Sequence, residues 1–444
     1  MEQNSPKLTL TFVAINMIND LVPNGMLPLA AGLSTGTSPM EGAMIIACFA
    51  ALSWSTLSIL AGLLEEASET ESQVTLRGLW ARLVHPRTAW IVDAVIASTC
   101  FMSCVAYLDF ASDLLCLALD EALGEYSGGR STCIVLLCTL VLLPLCLLKD
   151  TSALAPFSLI GVVAAVYVVL FMICRSVDGS YSDGGAFAPR VEGIVHPDLI
   201  RQGIDSTLTS SSFLGSSSTT DPSDDDLPPP QARIWTFNFS TVNMINMVSV
   251  GFLSHYNAGE YYFSVANTSL ARFHAASGGA FAFTSAIYIA SMCAGFWTFG
   301  TSCESTILLN YSPSDSLAAA GKLAIGTSLL TSFPLMFNGL TRSFRDLASP
   351  LIARMPPSGV ELVEVYQLEV LGLLSAVCVS SLKLPDVGAI VEFIGATCGS
   401  GIIYFLPAIL SFASDRKRER ARAPVIGGPN QQQEMLASSA GGVV

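Results

Sequence analysis

The chain has 444 residues, of which 51% are hydrophobic and 13% charged, with a mean hydropathy of +0.56. It is too apolar and too poor in charge for a water-soluble globular domain, so its core has to be helices packed in lipid. The formal charge of −14 does not mark a surface for nucleic acid, because the acids gather in two stretches, Glu65 to Glu71 and Asp178 to Asp226.

A bilayer helix needs about 20 mostly apolar residues. Ten spans are expected, near 10–33, 40–64, 90–118, 131–148, 152–174, 240–262, 279–300, 315–340, 362–382 and 386–411. The first starts close to Met1 but has a long apolar region and no small-residue cleavage motif, so it reads as a retained helix rather than a signal peptide. That span carries Asn16, Asn19, Asp20, Pro23, Asn24, Gly25 and Pro28 in its interior; the sixth carries Gly251, Ser254, His255, Asn257 and Gly259. Backbone freed from helical hydrogen bonds at bilayer depth is tolerable only where it lines a protein-buried or watered cavity. Two such interruptions, at matching places in two halves of five spans, mark a mid-membrane site of a transporter.

Short cytoplasmic loops accumulate Lys and Arg. With the N-terminus inside, the cytoplasmic segments hold Lys7, Arg77, Arg82, Arg87, Lys149, Arg272, Arg342, Arg345 and Arg354, and the tail holds Arg416, Lys417, Arg418, Arg420 and Arg422. Both termini are therefore expected in the cytoplasm. The expected organisation is an N-tail (1–9), a first repeat (10–174), a disordered acidic outer loop (175–234), a second repeat (235–411) and a basic, disordered C-tail (412–444). Most of the twelve Cys fall within spans, where they are small apolar fillers. Cys133, Cys174 and Cys303 lie near the outer ends, where one bridge among them is open. The four His are scattered, no Cys or His pair has ligand spacing, and there is neither a phosphate-binding Gly loop nor a nucleophile elbow. No enzyme activity, cofactor or structural metal is expected.

The second half holds motifs specific enough to compare with a family. They are GFLSHYNAGEYYFSVANTSLARF from Gly251, GFWTFG from Gly295, ILLNYSPSDSLA from Ile307, KLAIGTSLLTSFPL from Lys322 and the closing Arg342. Phe252, His255, Tyr256, Asn257, Phe299, Gly300, Ile307, Leu308, Asn310, Tyr311 and Pro334 match, with Tyr107 and Asp113 earlier and Gly395, Ala396, Thr397, Leu406 and Pro407 later. On these residues the chain resembles the amino acid/auxin permease family, and within it is most similar to the sodium-coupled neutral amino acid transporters. In the first span Asn16 and Asn19 match, but Pro23 and Pro28 replace flexible Gly and Ala30 the usual Pro.

The resemblance implies an all-α polytopic fold of about ten helices in a LeuT-like 5+5 inverted repeat of the APC superfamily, with helices 1 and 6 broken. It implies secondary active transport of a neutral amino acid by alternating access, coupled to sodium or protons, by a monomer in a lipid bilayer, the plasma membrane before a vacuolar or lysosomal one. The substrate is expected at Asn24, Gly25, Met26, Tyr107, Ser249, Gly251 and Phe252, where exposed N–H groups and half-helix ends can hold a carboxylate. The coupling ion is expected at Asn19, Asp20, Ser328, Thr331 and Ser332, which offer hard oxygen donors, and Pro23, Pro28, His255, Asn257 and Pro334 are expected to gate or shape the path. Bland readings stand beside these: Asn16 and Asn19 as interhelical hydrogen-bonders, Asp20 as a cap or pairing group, Tyr107 as an interface aromatic and His255 as a structural hydrogen bond rather than a proton shuttle. An amino acid sensor with a transporter fold, a vacuolar exporter and a passive channel are the alternative functions.

Overall fold

Apolar runs long enough to satisfy every backbone group internally become helices, and helices dominate the computed structural model. It describes residues 8–34, 36–68, 74–123, 129–148, 151–182, 184–187, 239–304, 306–352, 362–383 and 395–422. The helices are α1 (Leu10–Gly25), α2 (Leu29–Ser34), α3 (Pro39–Ser68), α4 (Leu76–Leu83), α5 (Trp90–Leu123), α6 (Gly129–Cys146), α7 (Thr151–Asp178), α8 (Phe239–Gly251), α9 (Ala258–Ser264), α10 (Leu270–Phe299), α11 (Ser316–Ile352), α12 (Leu362–Lys383) and α13 (Leu406–Arg422). Two π-helical stretches, Gly395–Gly399 and Gly401–Phe405, lead into α13, and Leu137–Leu142 of α6 is wound the same way. Among the described residues eight helical segments are long and apolar enough to cross a bilayer. The chain is an integral, multi-pass membrane protein.

The first and sixth apolar segments are each split. Between α1 and α2 lies the turn Met26–Pro28; between α8 and α9 lie Phe252–Ser254 and a 3-10 turn at His255–Asn257. The first break falls later than Pro23, which sits inside α1. The helix continues through it because a proline costs its own N–H bond and crowds the preceding turn, and neighbouring groups can compensate. α11 is the spine: its 37 residues extend about 55 Å and pack along α5 and α7. α1 leans on α10, α7 and α11, and α10 on α3, α7 and α2.

Several boundaries differ from the sequence reading. α10 starts at Leu270 rather than near 279, because Ser269 caps it by accepting the Arg272 N–H and the small residues after it are helix-compatible though weakly hydropathic. The outer loop does not begin at Arg175: α7 runs to Asp178 and stops at Gly179, whose φ of +68° suits a residue without Cβ. Residues 179–182 and 184–187 are ordered, with Tyr181 buried against Phe299 and Tyr311. The C-tail is helical as far as Arg422, since its Arg, Lys, Glu and Ala residues are good helix formers with no Pro or Gly until Pro424. The amphipathic α4 was not foreseen. The N-tail to Lys7, the acidic run 188–238, Glu392 and the tail after Arg422 lie outside the described residues. Cys133, Cys174 and Cys303 are free, and Cys133 Sγ lies 2.9 Å from Cys116 Sγ.

Candidate functional site

Proline chemistry sets up the first half of the site. Pro23 has no N–H to offer the carbonyl four residues before it, so Asn19 C=O is left over inside α1. Ser332 of α11 fills that place, its Oγ donating to Asn19 O. The same hydroxyl lies 2.9 Å from Ser328 O. Beside it Thr331 Oγ1 is 3.0 Å from Ser328 O and 3.3 Å from Asn19 Oδ1. Five oxygens from α1 and α11 thus converge, and Asn19, Ser328 and Ser332 are buried without residual exposure. Two hydroxyl protons face three carbonyl-type acceptors, a surplus of lone pairs suited to a hard cation. Ser328 Oγ, also buried, has no hydrogen-bond partner among the described residues.

Gly161 of α7 closes this cluster. A Cβ there would stand 2.0 Å from Asn19 Oδ1 and 2.2 Å from Thr331 Oγ1, so only glycine lets α7 approach. Sequence reasoning missed it; the signal was an isolated Gly five residues after Pro156 inside an apolar helix.

Asp20, one residue on, turns the other way. Its carboxylate is fully buried and accepts the Tyr256 hydroxyl on Oδ1 and the Tyr261 hydroxyl on Oδ2, the latter at 2.8 Å. Tyr256 lies in the turn of the second break and Tyr261 on α9 just after it, so the pairing ties α1 to the second half of the sixth segment. The Tyr256 ring fills the space beside Gly339 of α11 and Cys100 of α5, where a Gly339 Cβ would meet it at 2.6 Å.

The two breaks meet at Gly25 and Gly251. A Cβ on Gly251 would lie 3.5 Å from Gly25 Cα, and one on Gly25 would strike the Tyr288 ring at 2.7 Å. Tyr288 reaches from α10 to place its hydroxyl 2.6 Å from Leu21 O, in the last turns of α1, and 2.7 Å from Gly251 O, at the end of α8. It too was missed, being one aromatic among many in an apolar helix. Phe252 stacks on Phe281 and packs at a tilt against Tyr288. Met26 is buried and its carbonyl accepts Ser291 Oγ at 3.4 Å. Ser249 bonds back to Asn246 O, and its own carbonyl accepts the Tyr404 hydroxyl. Asn24 lies in the last turn of α1, its side chain outside the described residues; Pro28 O accepts the Gly32 N–H at the start of α2; Tyr107 is buried on α5.

His255 links the second break to α3, its Nε2 lying 2.9 Å from Thr56 Oγ1 and 3.0 Å from Ser53 O. Asn257 donates from Nδ2 to Leu335 O and accepts from Arg342, which also pairs with Glu260 at 2.8 Å. Leu335 directly follows Pro334 in α11. At the other end of the bundle Arg175 pairs with Asp315 at 2.6 Å, and Tyr181 donates to Asp315 at 3.0 Å. Burial pushes the Asp315 carboxyl up, but the bonds from Arg175, Tyr181 and the Leu317 N–H and the Arg175 charge together hold it below the ordinary carboxylate range. A cavity of about 80 Å³ near the first break is bounded by Leu27, by Phe110, Asp113 and Leu114 of α5, and by Thr306, Leu308 and Leu309. Asn310 uses its amide to staple its own loop, donating to Ser302 O and accepting from the Glu304 N–H.

The profile of the family described as "Transmembrane amino acid transporter protein" matches residues 6–192 and 230–424. The chain belongs to this family. Curated relatives include solute carrier family 38 member 8 of Mus musculus, 24% identical over 77% of this chain and 71% of that protein, and sodium-coupled neutral amino acid transporter 7 of Xenopus laevis, 23% identical over 79% and 69%. Vacuolar amino acid transporter 7 of Saccharomyces cerevisiae is 24% identical over 58% of this chain and 44% of its own length. The chain spans 44% to 63% of the length of the first relatives it matches. Among solved structures, a Na+-coupled sialic acid symporter in a substrate-bound outward-open state is similar at 13% identity and a TM-score of 0.48, over 89% of this chain and 83% of that one. A transporter family, rather than an enzyme family, is thus the chain's place.

Proposed function

We propose that this family member is a secondary active transporter that moves a neutral amino acid by alternating access, driven by sodium held between α1 and α11. The observation that carries the reading is the oxygen cluster of Asn19, Ser328, Thr331 and Ser332. It is uncharged, buried and richer in acceptors than donors, which suits a monovalent alkali cation better than a divalent one with several carboxylate ligands. The ion would bridge α1, which carries the first break, to the long α11, so its binding would favour one position of α1 against that spine. The amino acid would sit at the facing breaks around Gly25, Met26, Gly251 and Phe252, where the described side chains Met26, Phe252 and Tyr288 are uncharged, so an uncharged substrate side chain fits. Tyr107 would wall the pocket, and the protein would act as a monomer at the plasma membrane. In proteoliposomes, Ser332→Ala and Asn19→Ala should raise the sodium concentration for half-maximal uptake; unchanged dependence in both removes the ion site.

A second reading, proton coupling, is favoured by one observation: Asp20 is wholly buried with two tyrosine hydroxyls on its carboxylate. An ionisable group in such a place is by default functional. Asp20→Asn with a pH profile of uptake identical to wild type would remove it.

A further inference from the structure

At the end of the bundle rich in Lys and Arg, α3, α4 and α13 enclose a cavity of about 210 Å³. Leu63 and Ala67 of α3 and Leu79 and Leu83 of α4 form apolar wall. Cations line it as well: Arg82 from α4, and Lys417 and Arg418 from α13. Among the lining residues Glu66 is the single acid, and Arg418 donates to it at 2.5 Å. Among the described lining residues three are cations and one is a carboxylate.

Its level along α13 matters as much as its charge. Immediately before the basic residues the same helix presents Ile409 and Phe412 outward, 41% and 60% exposed, side chains that belong in hydrocarbon. Arg416 folds back over the Phe412 ring at 4.5 Å, and the helix then carries Lys417, Arg418, Arg420 and Arg422. The cavity therefore stands where apolar surface gives way to cations, the depth of phospholipid headgroups. Basic pockets among helix ends on the positive side of a membrane protein are suited to anionic lipid headgroups.

We propose that this cavity is a binding site for the phosphate of an anionic phospholipid, Arg82 and Lys417 holding the phosphate while the acyl chains run beside Ile409 and Phe412. The Lys and Arg distribution assigns it to the cytoplasmic leaflet. A lipid there would clamp α13 to α3 and α4, adding to the Arg418 and Glu66 pair.

The test uses the full-length protein, delipidated in detergent and titrated with dioleoyl phosphatidylserine or dioleoyl phosphatidylcholine, with retained lipid counted by native mass spectrometry. Phosphatidylserine should be retained in preference, and the double variant Arg82→Gln, Lys417→Gln should bind it about thirtyfold more weakly, at roughly a tenfold loss per 1.4 kcal/mol and about 1 kcal/mol per cation. Leu83→Trp, which fills the cavity without changing charge, should also lower retention. Equal retention of the two lipids overturns the proposal, as does full binding by either variant that still elutes as a monodisperse peak. Displacement of the lipid by millimolar glycerol 3-phosphate would assign the site to a soluble phosphate instead, which also overturns it. The readout is lipid binding, so failure of the transport reading leaves it intact.

Discussion

Replacing Gly161 by Ala inserts one methyl group where α7 meets the proposed ion ligands. Its Cβ would lie 2.0 Å from Asn19 Oδ1 and 2.2 Å from Thr331 Oγ1. Carbon does not approach oxygen within about 3 Å, so one or both side chains must retreat by about 1 Å, and overpacking of this kind costs about 1–3 kcal/mol. If that cost falls on the geometry of the oxygen cluster, the sodium concentration for half-maximal uptake should rise between about 5- and 150-fold, at 1.4 kcal/mol per tenfold. The assay is sodium-dependent uptake of a radiolabelled neutral amino acid into proteoliposomes, normalised to reconstituted protein. Gly372→Ala in α12, where an added Cβ meets nothing within 4 Å, is the matched control and should behave as wild type. A Gly161→Ala protein with normal reconstitution and unchanged sodium dependence would refute the assignment of Asn19 and Thr331 to the ion.

Tyr288→Phe leaves Leu21 O and Gly251 O without their shared hydroxyl; the loss of about 1–3 kcal/mol should appear as a lower thermal unfolding midpoint, with Phe283→Leu on the same helix, 40% exposed, as the comparison. Asp20→Asn keeps an acceptor for one tyrosine hydroxyl but removes the charge, so under the proton reading uptake becomes insensitive to pH, and under the sodium reading its pH profile stays like wild type. The Asp315 carboxyl has a folded value below its ordinary 3.8. Its bonds therefore stabilise the α7–α11 contact at every pH above about 4 and are lost only as pH falls through the lowered value. Thermal stability owed to this pair should hold from pH 7 to pH 5 and decline below 4, and Asp315→Asn should be less stable at pH 7 and lack that acid limb.

Helix breaks were legible because Pro, Gly and Asn inside apolar runs have few other uses at bilayer depth. Pro23 and Pro28 pointed to the right region, yet the turn itself falls at Met26–Pro28, since Pro23 is absorbed within α1 by a partner on α11, far along the chain. The hydroxyls Ser328, Thr331 and Ser332 could be singled out by their clustering before Pro334. Gly161, Tyr288, Tyr256 and Tyr261 could not be assigned their contacts, because a pairing such as Tyr261 with Asp20 depends on packing between distant segments and leaves no trace in local spacing. Helix ends outside the apolar window were misjudged for a different reason. Hydropathy reports what lipid tolerates, whereas Leu270 and Arg422 are set by capping and helix propensity. The amphipathic α4 has eight residues, too few for a span and too mixed for a hydropathy signal.

The central claim is tested most directly by imposing either a sodium gradient or a pH gradient on proteoliposomes holding the purified protein and following a radiolabelled mixture of neutral amino acids. Accumulation above equilibrium is expected when the sodium gradient alone is present. Amino acid binding without accumulation under either gradient would contradict it, and would point to a sensor or facilitator built on the same fold.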